Sequence, residues 1–160
     1  METFQERRLH IWIDADSCPA PVRNHTVKMA SRNGLEVIFA ANREIKCTEA
    51  GAYRMVVCGA EKDAADSYIL EHAEGADIVI TKDIVFADRL VARGICVIND
   101  RGTVFTAENV KKRLSERDFN LQLSQAGLVQ HFHEGYDKKK FAEFAGTFDK
   151  ILHQQLRKIR

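Results

Sequence analysis

The order of apolar runs along this chain constrains its fold more than any other feature. Short runs rich in β-branched residues, "LHIWI", "LEVIFAA", "RMVVCG", "DIVIT" and "ICVIN", are separated by stretches with helical spacing. Continuously apolar runs of this kind are typical of a parallel sheet that helices cover on both faces. The sequence therefore predicts an α/β fold with a mostly parallel sheet of about five strands. The strands are expected to start near Leu9, Leu35, Arg54, Asp77 and Ile95.

Helical patterns follow the strands. They predict helices over Pro19–Ser31, with Asp16 or Ser17 as the N-cap, over Asp63–Ala73 and over Ile84–Ala92. Beyond Arg101 only helical patterns occur. These are Thr106 or Ala107 to Leu114, a short helix opened by a capping box at Ser115–Asp118, and an amphipathic helix over Lys138–Ile159. The stretch 125–137 is expected to be a loop.

Length and composition indicate one domain that can bury a core. Residues 1–100 would form the α/β core, and residues 101–160 a helical extension packed on it. The apolar runs are much shorter than the ~20 residues that a membrane span requires. The chain has four scattered cysteines without a C-x-x-C pair, which favours free thiols in a reducing cytoplasm. We therefore expect a cytoplasmic protein without a membrane partner.

The charge is distributed unevenly along the chain. Residues 1–100 hold 12 Lys and Arg against 16 Asp and Glu, whereas residues 101–160 hold 12 against 7. A basic C-terminal third beside an acidic body predicts a surface that holds a polyanion such as RNA. A solvated basic helix would explain the same composition.

Carboxylates follow the predicted strands. Asp14 and Asp16 come directly after the first strand, Asp63 and Asp66 open the helix after the third, and Asp83 follows "DIVIT". Ligands bind beyond the carboxyl ends of parallel strands, so these acids are expected on one edge of the sheet. Asp100 in "NDRG" is more typical of a turn.

Each acid also has a simpler explanation. Asp16, Asp63 and Asp83 could be helix N-caps. Asp14 is the exception, because it precedes the cap and adjoins a buried strand. Carboxylates that converge without His or Cys partners suit a hard cation, Mg²⁺ or Mn²⁺. The spacing of His131 and His133 is more often incidental than a zinc site.

Five segments resemble one bacterial family. These are "IWIDADSCPAPV", "VVCGAEKDAADSYI", "GADIVITKDIVFADRLVARG", "VINDRG" and "LSERDF", which span about Ile11 to Asn120. In this order they resemble the YaiI/YqxD family of uncharacterised proteins, which is grouped with PIN-like nuclease folds. The stretch "AGLVQHFHEGYD" departs from the Gly/Pro-rich loop usual in the family. The resemblance implies a three-layer PIN-like sandwich in which an acidic cluster binds a divalent metal for RNA cleavage.

The resemblance also implies roles for individual residues. By position, Asp14, Asp66 and Asp83 match the acids that bind the metal. Asp16 and Asp63 would support them or orient the attacking water, which makes all five acids candidate catalytic residues. Lys82 and Arg101 would meet the phosphate backbone, although both could equally be solvated loop charges. The predicted function is thus a Mg²⁺- or Mn²⁺-dependent phosphodiesterase acting on RNA.

Two other functions remain open from the sequence. "IWIDADS" and "IVIT" approximate motifs of haloacid-dehalogenase-like phosphatases, in which Asp14 would be the nucleophile. That chemistry leaves Asp63 and Asp66 without a role. The third hypothesis is a non-enzymatic module that binds RNA or a protein, with a degenerate site.

Overall fold

The computed structural model describes residues 9–47, 51, 53–61, 63–128 and 135–159. In these residues five strands form one fully parallel sheet. The strands are β1 (His10–Asp14), β2 (Glu36–Ala41), β3 (Tyr53–Val57), β4 (Ile78–Ile80) and β5 (Cys96–Ile98). Each starts within one residue of the position that the sequence predicts. The predicted α/β class and the parallel sheet are therefore confirmed.

Helices cover both faces of the sheet. They are α1 (Ala20–Arg32), α2 (Ala64–His72), α3 (Ile84–Ala92), α4 (Ala107–Gln125) and α5 (Lys138–Lys158). The alternating strand residues separate the core into two layers. Ile11 and Ile13 pack with α1 and α5, whereas Trp12 packs with α2, α3 and α4. The predicted helical C-terminal part is confirmed, because α4 and α5 bury Val110 and Phe148 respectively against these layers.

Two local predictions are wrong. The N-cap of α1 is Pro19, not Asp16 or Ser17. Asp16 and Ser17 lie instead in a short 3₁₀ turn over Ala15–Ser17. Proline suits the cap because it lacks the N–H that a helix start would leave unpaired, while its carbonyl accepts from the Val22 and Arg23 amides.

The capping box expected at Ser115–Asp118 does not open a new helix. Residues 107–125 form one continuous helix. The capping box of this helix is made by Thr106 and Asn109, whose side chains each accept the other's backbone N–H at 3.1 and 2.8 Å. No Gly or Pro follows Leu114 before the end of α4, so nothing in the backbone interrupts the helix.

Several described features bear on the other expectations. None of the four cysteines forms a disulfide. No helix in the described ranges is long and apolar enough to cross a bilayer. The predicted turn at Asp100 is present. His131 and His133, with much of the expected loop 125–137, lie outside the described residues.

Candidate functional site

The strand order places one edge of the sheet where ligands commonly bind. The order is β3-β2-β1-β4-β5, so the chain leaves β1 toward one side and later returns to its other side as β4. A crevice forms beyond the carboxyl ends of strands at such a reversal point. Asp14 is the last residue of β1, and Asp83 is the N-cap of α3 just after β4. Both acids therefore lie at this crevice.

A single hydroxyl fixes both of these acids. The Thr81 side chain is buried and donates to Asp14 Oδ2 at 3.0 Å. The hydroxyl oxygen of Thr81 also accepts the Asp83 backbone N–H at 3.1 Å. The Asp83 carboxylate in turn accepts from the Phe86 amide at 3.1 Å and so caps α3. Asp83 therefore caps α3 and also lies at the predicted edge of the sheet.

The other pair of acids comes from the start of α2. Asp63 occupies the N-cap position, but its side chain makes no capping hydrogen bond. Its φ of 64° makes it the one described non-glycine residue in the left-handed region, which Asp tolerates better than most residues. Asp66 lies one turn later and is only 8% exposed. One carboxylate oxygen of Asp63 nevertheless lies within 4.8 Å of one of Asp66.

Three carboxylates converge at this edge. One oxygen each from Asp63, Asp66 and Asp83 lies within 4.8 Å of the others. Oxygens at this spacing could be bridged by one cation whose ligand distances are 2.0–2.6 Å. The donor set contains only carboxylates, which suits Mg²⁺ or Mn²⁺ better than zinc or copper. We call Asp14, Asp63, Asp66 and Asp83 the acidic cluster.

The electrostatics of the acidic cluster disfavour four free negative charges. Burial raises the pKa of Asp66 to about 7, and the neighbouring charges of Asp14, Asp83 and Asp63 act in the same direction. Arg89 opposes the shift. Burial also raises the pKa of Asp14, which the Thr81 hydrogen bond partly offsets. A bound cation would relieve this mutual repulsion, so the residues present fit a divalent metal.

The remaining predicted site residues lie around this cluster. Asp16 is exposed and accepts the Asn42 backbone N–H at 3.1 Å, toward the end of β2. Lys82 separates Thr81 from Asp83 in the chain, and its charge lowers the pKa of Asp14. Arg101 is exposed on the turn after β5. Lys82 and Arg101 line one cleft of about 380 Å³, so the structure brings these two together.

Sequence reasoning missed four residues of this region. Thr81, Asn99, Arg113 and Tyr136 either position the acids or line the cleft. Thr81 and Asn99 follow directly after strands and could have been found by the same rule as the acids. Arg113 and Tyr136 lie on α4 and before α5, and nothing in the local sequence marks them.

Cys18 lies close to Asp14, but its thiol is not activated as a nucleophile. The two residues line the same small pocket. Burial raises the pKa of the Cys18 thiol to about 12. A thiol, not a thiolate, is therefore present near neutral pH, and the thiol is a poor nucleophile and metal ligand.

Comparison with known proteins identifies the family of this chain but finds no similar solved structure. The family described as "Uncharacterized BCR, YaiI/YqxD family" matches residues 12–154. A "UPF0178 protein" of Treponema denticola is 42% identical over 149 residues, covering 93% of this chain and 95% of the relative. Another, of Myxococcus xanthus, is 37% identical over 144 residues, covering 90% and 94%. No solved structure matches the chain.

Proposed function

Because the chain belongs to the bacterial YaiI/YqxD family, we propose that its acidic cluster serves a divalent-metal-dependent phosphodiesterase that acts on RNA. The observation that carries this proposal is the convergence of the Asp63, Asp66 and Asp83 oxygens within 4.8 Å. It occurs at the crevice beside β1 and β4, where a doubly wound sheet binds its ligand. A cluster of N-caps would not require an almost fully buried Asp66.

Asp66 and Asp83 are the proposed direct ligands. Both belong to the converging trio and to the set that the family resemblance implies. Asp63, the third member of the trio, or the nearby Asp14 can complete the coordination, while water fills the remaining positions. Thr81 would hold Asp14 and the start of α3 in register, so it is a positioning residue. Asp16 lies farther out and would orient solvent or substrate.

The chemistry follows from these positions. A bound Mg²⁺ or Mn²⁺ polarises a phosphodiester and lowers the pKa of a water for in-line attack. An ionised carboxylate of the acidic cluster can accept a hydrogen bond from the attacking water and hold it in line with phosphorus. Lys82 lies next to Asp83 and would meet a non-bridging phosphate oxygen. Arg101 would hold another phosphate of the same strand.

RNA is proposed as the substrate because of the charge on the last third of the chain. Residues 101–160 carry 12 Lys and Arg against 7 Asp and Glu. Lys111, Lys112 and Arg113 lie together on α4, and Arg113 reaches the cleft beside the acidic cluster. The exposed Lys111 and Lys112 would hold a phosphate backbone without reading its sequence.

A phosphatase is the second candidate, and one contact favours it. The hydrogen bond from Thr81 fixes the Asp14 side chain at the end of β1, and a phosphatase of the haloacid-dehalogenase type would need a fixed nucleophile there. In that mechanism an Asp14 oxygen attacks phosphorus, the ester oxygen leaves with a proton donated by Asp16, and an aspartyl-phosphate remains. That mechanism gives Asp63 and Asp66 no role, although both belong to the converging trio.

One experiment separates the candidates. The protein is incubated with Mn²⁺ and either a short single-stranded RNA or a generic phosphomonoester. We expect RNA cleavage that falls at least 100-fold in Asp83→Asn, about the loss of one key electrostatic group. Asp88→Asn is the matched control, because Asp88 lies on the same helix outside the converging trio. Asp88→Asn should retain cleavage.

Other outcomes assign the protein differently. Monoester turnover with a phosphate trapped on Asp14 would replace the nuclease by the phosphatase. RNA binding without turnover of either substrate would leave a binding module. Equal cleavage by wild type and Asp83→Asn would contradict the proposed site.

A further inference from the structure

A basic cleft opens next to the acidic cluster, on the side of β5 and α4. It has a volume of about 380 Å³. Its charged lining consists of Lys82, Arg101 and Arg113 with one carboxylate, Asp100. Lys82 follows β4, Arg101 lies on the turn after β5, and Arg113 lies on α4. Three separate segments thus bring cationic side chains to one concave surface, which we call the basic cleft.

The cations of the basic cleft make no close ion pair among the described residues, although the charge of Lys82 acts on Asp14 at longer range. Arg113 lies 5.9 Å over the Phe105 ring and reaches the Thr103 hydroxyl at 3.5 Å, so its planar group is oriented without losing its charge. With Asp100 included, the lining carries a net charge of +2. Unpaired cations on a concave surface attract an anion.

The backbone around the basic cleft is held in place from inside. The Asn99 side chain is 7% exposed, and its Oδ1 accepts the Arg101 and Thr103 amides at 3.0 and 2.9 Å. The Tyr136 hydroxyl donates to the Asp100 carbonyl at 2.7 Å and ties the turn to the segment before α5. A ligand therefore meets a turn that is already ordered, which reduces the entropy lost on binding.

The charge and size of the basic cleft select one kind of anion. A phosphomonoester carries about −1.5 to −2 charges at neutral pH, close to the net +2 of the lining, whereas each phosphodiester carries about −1. A volume of about 380 Å³ lies in the range of small-ligand pockets. The basic cleft therefore suits a single terminal phosphate better than a continuous strand.

We propose that the basic cleft binds the terminal phosphate of an RNA strand whose next linkages reach the acidic cluster. This inference rests on the proposed function, since it makes the cleft the end-recognition site of that nuclease. Lys82 joins the two sites because it lines the basic cleft and immediately precedes Asp83. Such an enzyme would prefer phosphorylated ends over hydroxyl ends.

The test measures RNA binding without metal. Three single-stranded RNAs of one sequence carry a 5′-phosphate, a 3′-phosphate or only hydroxyl ends, with a fluorophore on an internal base. Anisotropy is recorded in excess chelator. For wild type we expect about 5- to 10-fold tighter binding of one phosphorylated RNA, the effect of a charge-assisted contact. Arg113→Ala should reduce this preference to less than about twofold, as the loss of that contact predicts.

Matched controls separate the basic cleft from general charge. Lys28→Ala removes one positive charge from an exposed position of α1, on the other face of the sheet, and should keep the preference. Arg101→Ala changes an exposed side chain, so it tests the cleft again if Arg113→Ala does not fold. Equal affinities for all three RNAs would overturn the proposal. A preference that survives both arginine variants would also overturn it.

Two further outcomes identify what has failed. If inorganic phosphate binds as tightly as the phosphorylated RNA, the cleft is a free-phosphate site and end recognition is overturned. Cleavage is measured separately in Mn²⁺. If the wild-type protein prefers a phosphorylated end but cleaves no RNA, the nuclease is rejected and phosphate recognition by the basic cleft is retained. Cleavage without an end preference would reject only the basic cleft as the end-recognition site.

Discussion

Asp66 lies at the point where burial and charge oppose each other most strongly. It is 8% exposed, and three other carboxylates act on it. Burial raises its pKa to about 7 from an ordinary 3.8. The folded protein therefore holds the Asp66 proton more tightly than the unfolded chain between these two pH values. This proton contributes stability that is fully present below about 3.8 and is lost as the pH rises through about 7.

The predicted consequence is that Asp66→Asn stabilises the metal-free protein at pH 8. After allowance for solvent screening, the gain in unfolding free energy should be about 1–2 kcal/mol. At pH 5 the gain should be less than half as large, because the wild-type carboxyl is then mostly protonated when folded. Urea unfolding in chelator at both pH values measures this difference, and Asp88→Asn is the control. An Asp66→Asn variant destabilised at pH 8 would contradict the assigned electrostatics.

At the scale of elements, the turn between β5 and α4 depends on one glycine. Gly102 has a φ of +84°, and a Cβ placed on it would lie 2.6 Å from the Glu143 carbonyl oxygen of α5. The C-terminal helix is thus packed closely against the turn that carries Arg101. Gly94 has a similar φ of +78° with nothing within 4 Å of its Cβ position. The pair separates backbone strain from steric overlap.

We predict that Gly102→Ala costs about 2–4 kcal/mol of stability and Gly94→Ala about 1–2 kcal/mol. The first substitution adds a clash to the left-handed strain that both share. Chemical unfolding of the two variants gives these values. Equal losses would show that α5 gives way at no cost, and the turn would then not be fixed by its contact with α5.

The sequence predicted the elements better than the connections between them. Continuous apolar runs such as "LEVIFAA" mark buried parallel strands, because no polar face is needed there. Strand ends meet at the sheet edge, so the acids are expected there; the trio that converges is Asp63, Asp66 and Asp83, with Asp63 in place of the Asp14 that the resemblance implies as a metal ligand. The order of the strands, the extent of α4 and the place of Arg113 depend on packing between distant segments. No local pattern encodes these contacts, so they could not be predicted.

At the scale of the whole molecule, unlike charges lie side by side at one edge of the sheet. The acidic cluster occupies the crevice beside β1 and β4, and the basic cleft adjoins it toward β5 and α4. A bound cation would neutralise the carboxylates of the acidic cluster, and a bound phosphate would neutralise the cationic side chains of the basic cleft. Every proposed step of catalysis depends on a divalent cation in the acidic cluster.

The most direct measurement is anomalous diffraction from crystals soaked in Mn²⁺. We predict a peak within about 2.0–2.3 Å of oxygens from Asp66 and Asp83, with Asp14 or Asp63 and ordered waters completing the shell. The peak should be absent from Asp83→Asn crystals soaked in the same way and present in Asp88→Asn crystals. A wild-type crystal that binds manganese only elsewhere, or not at all, would contradict a metal site in the acidic cluster.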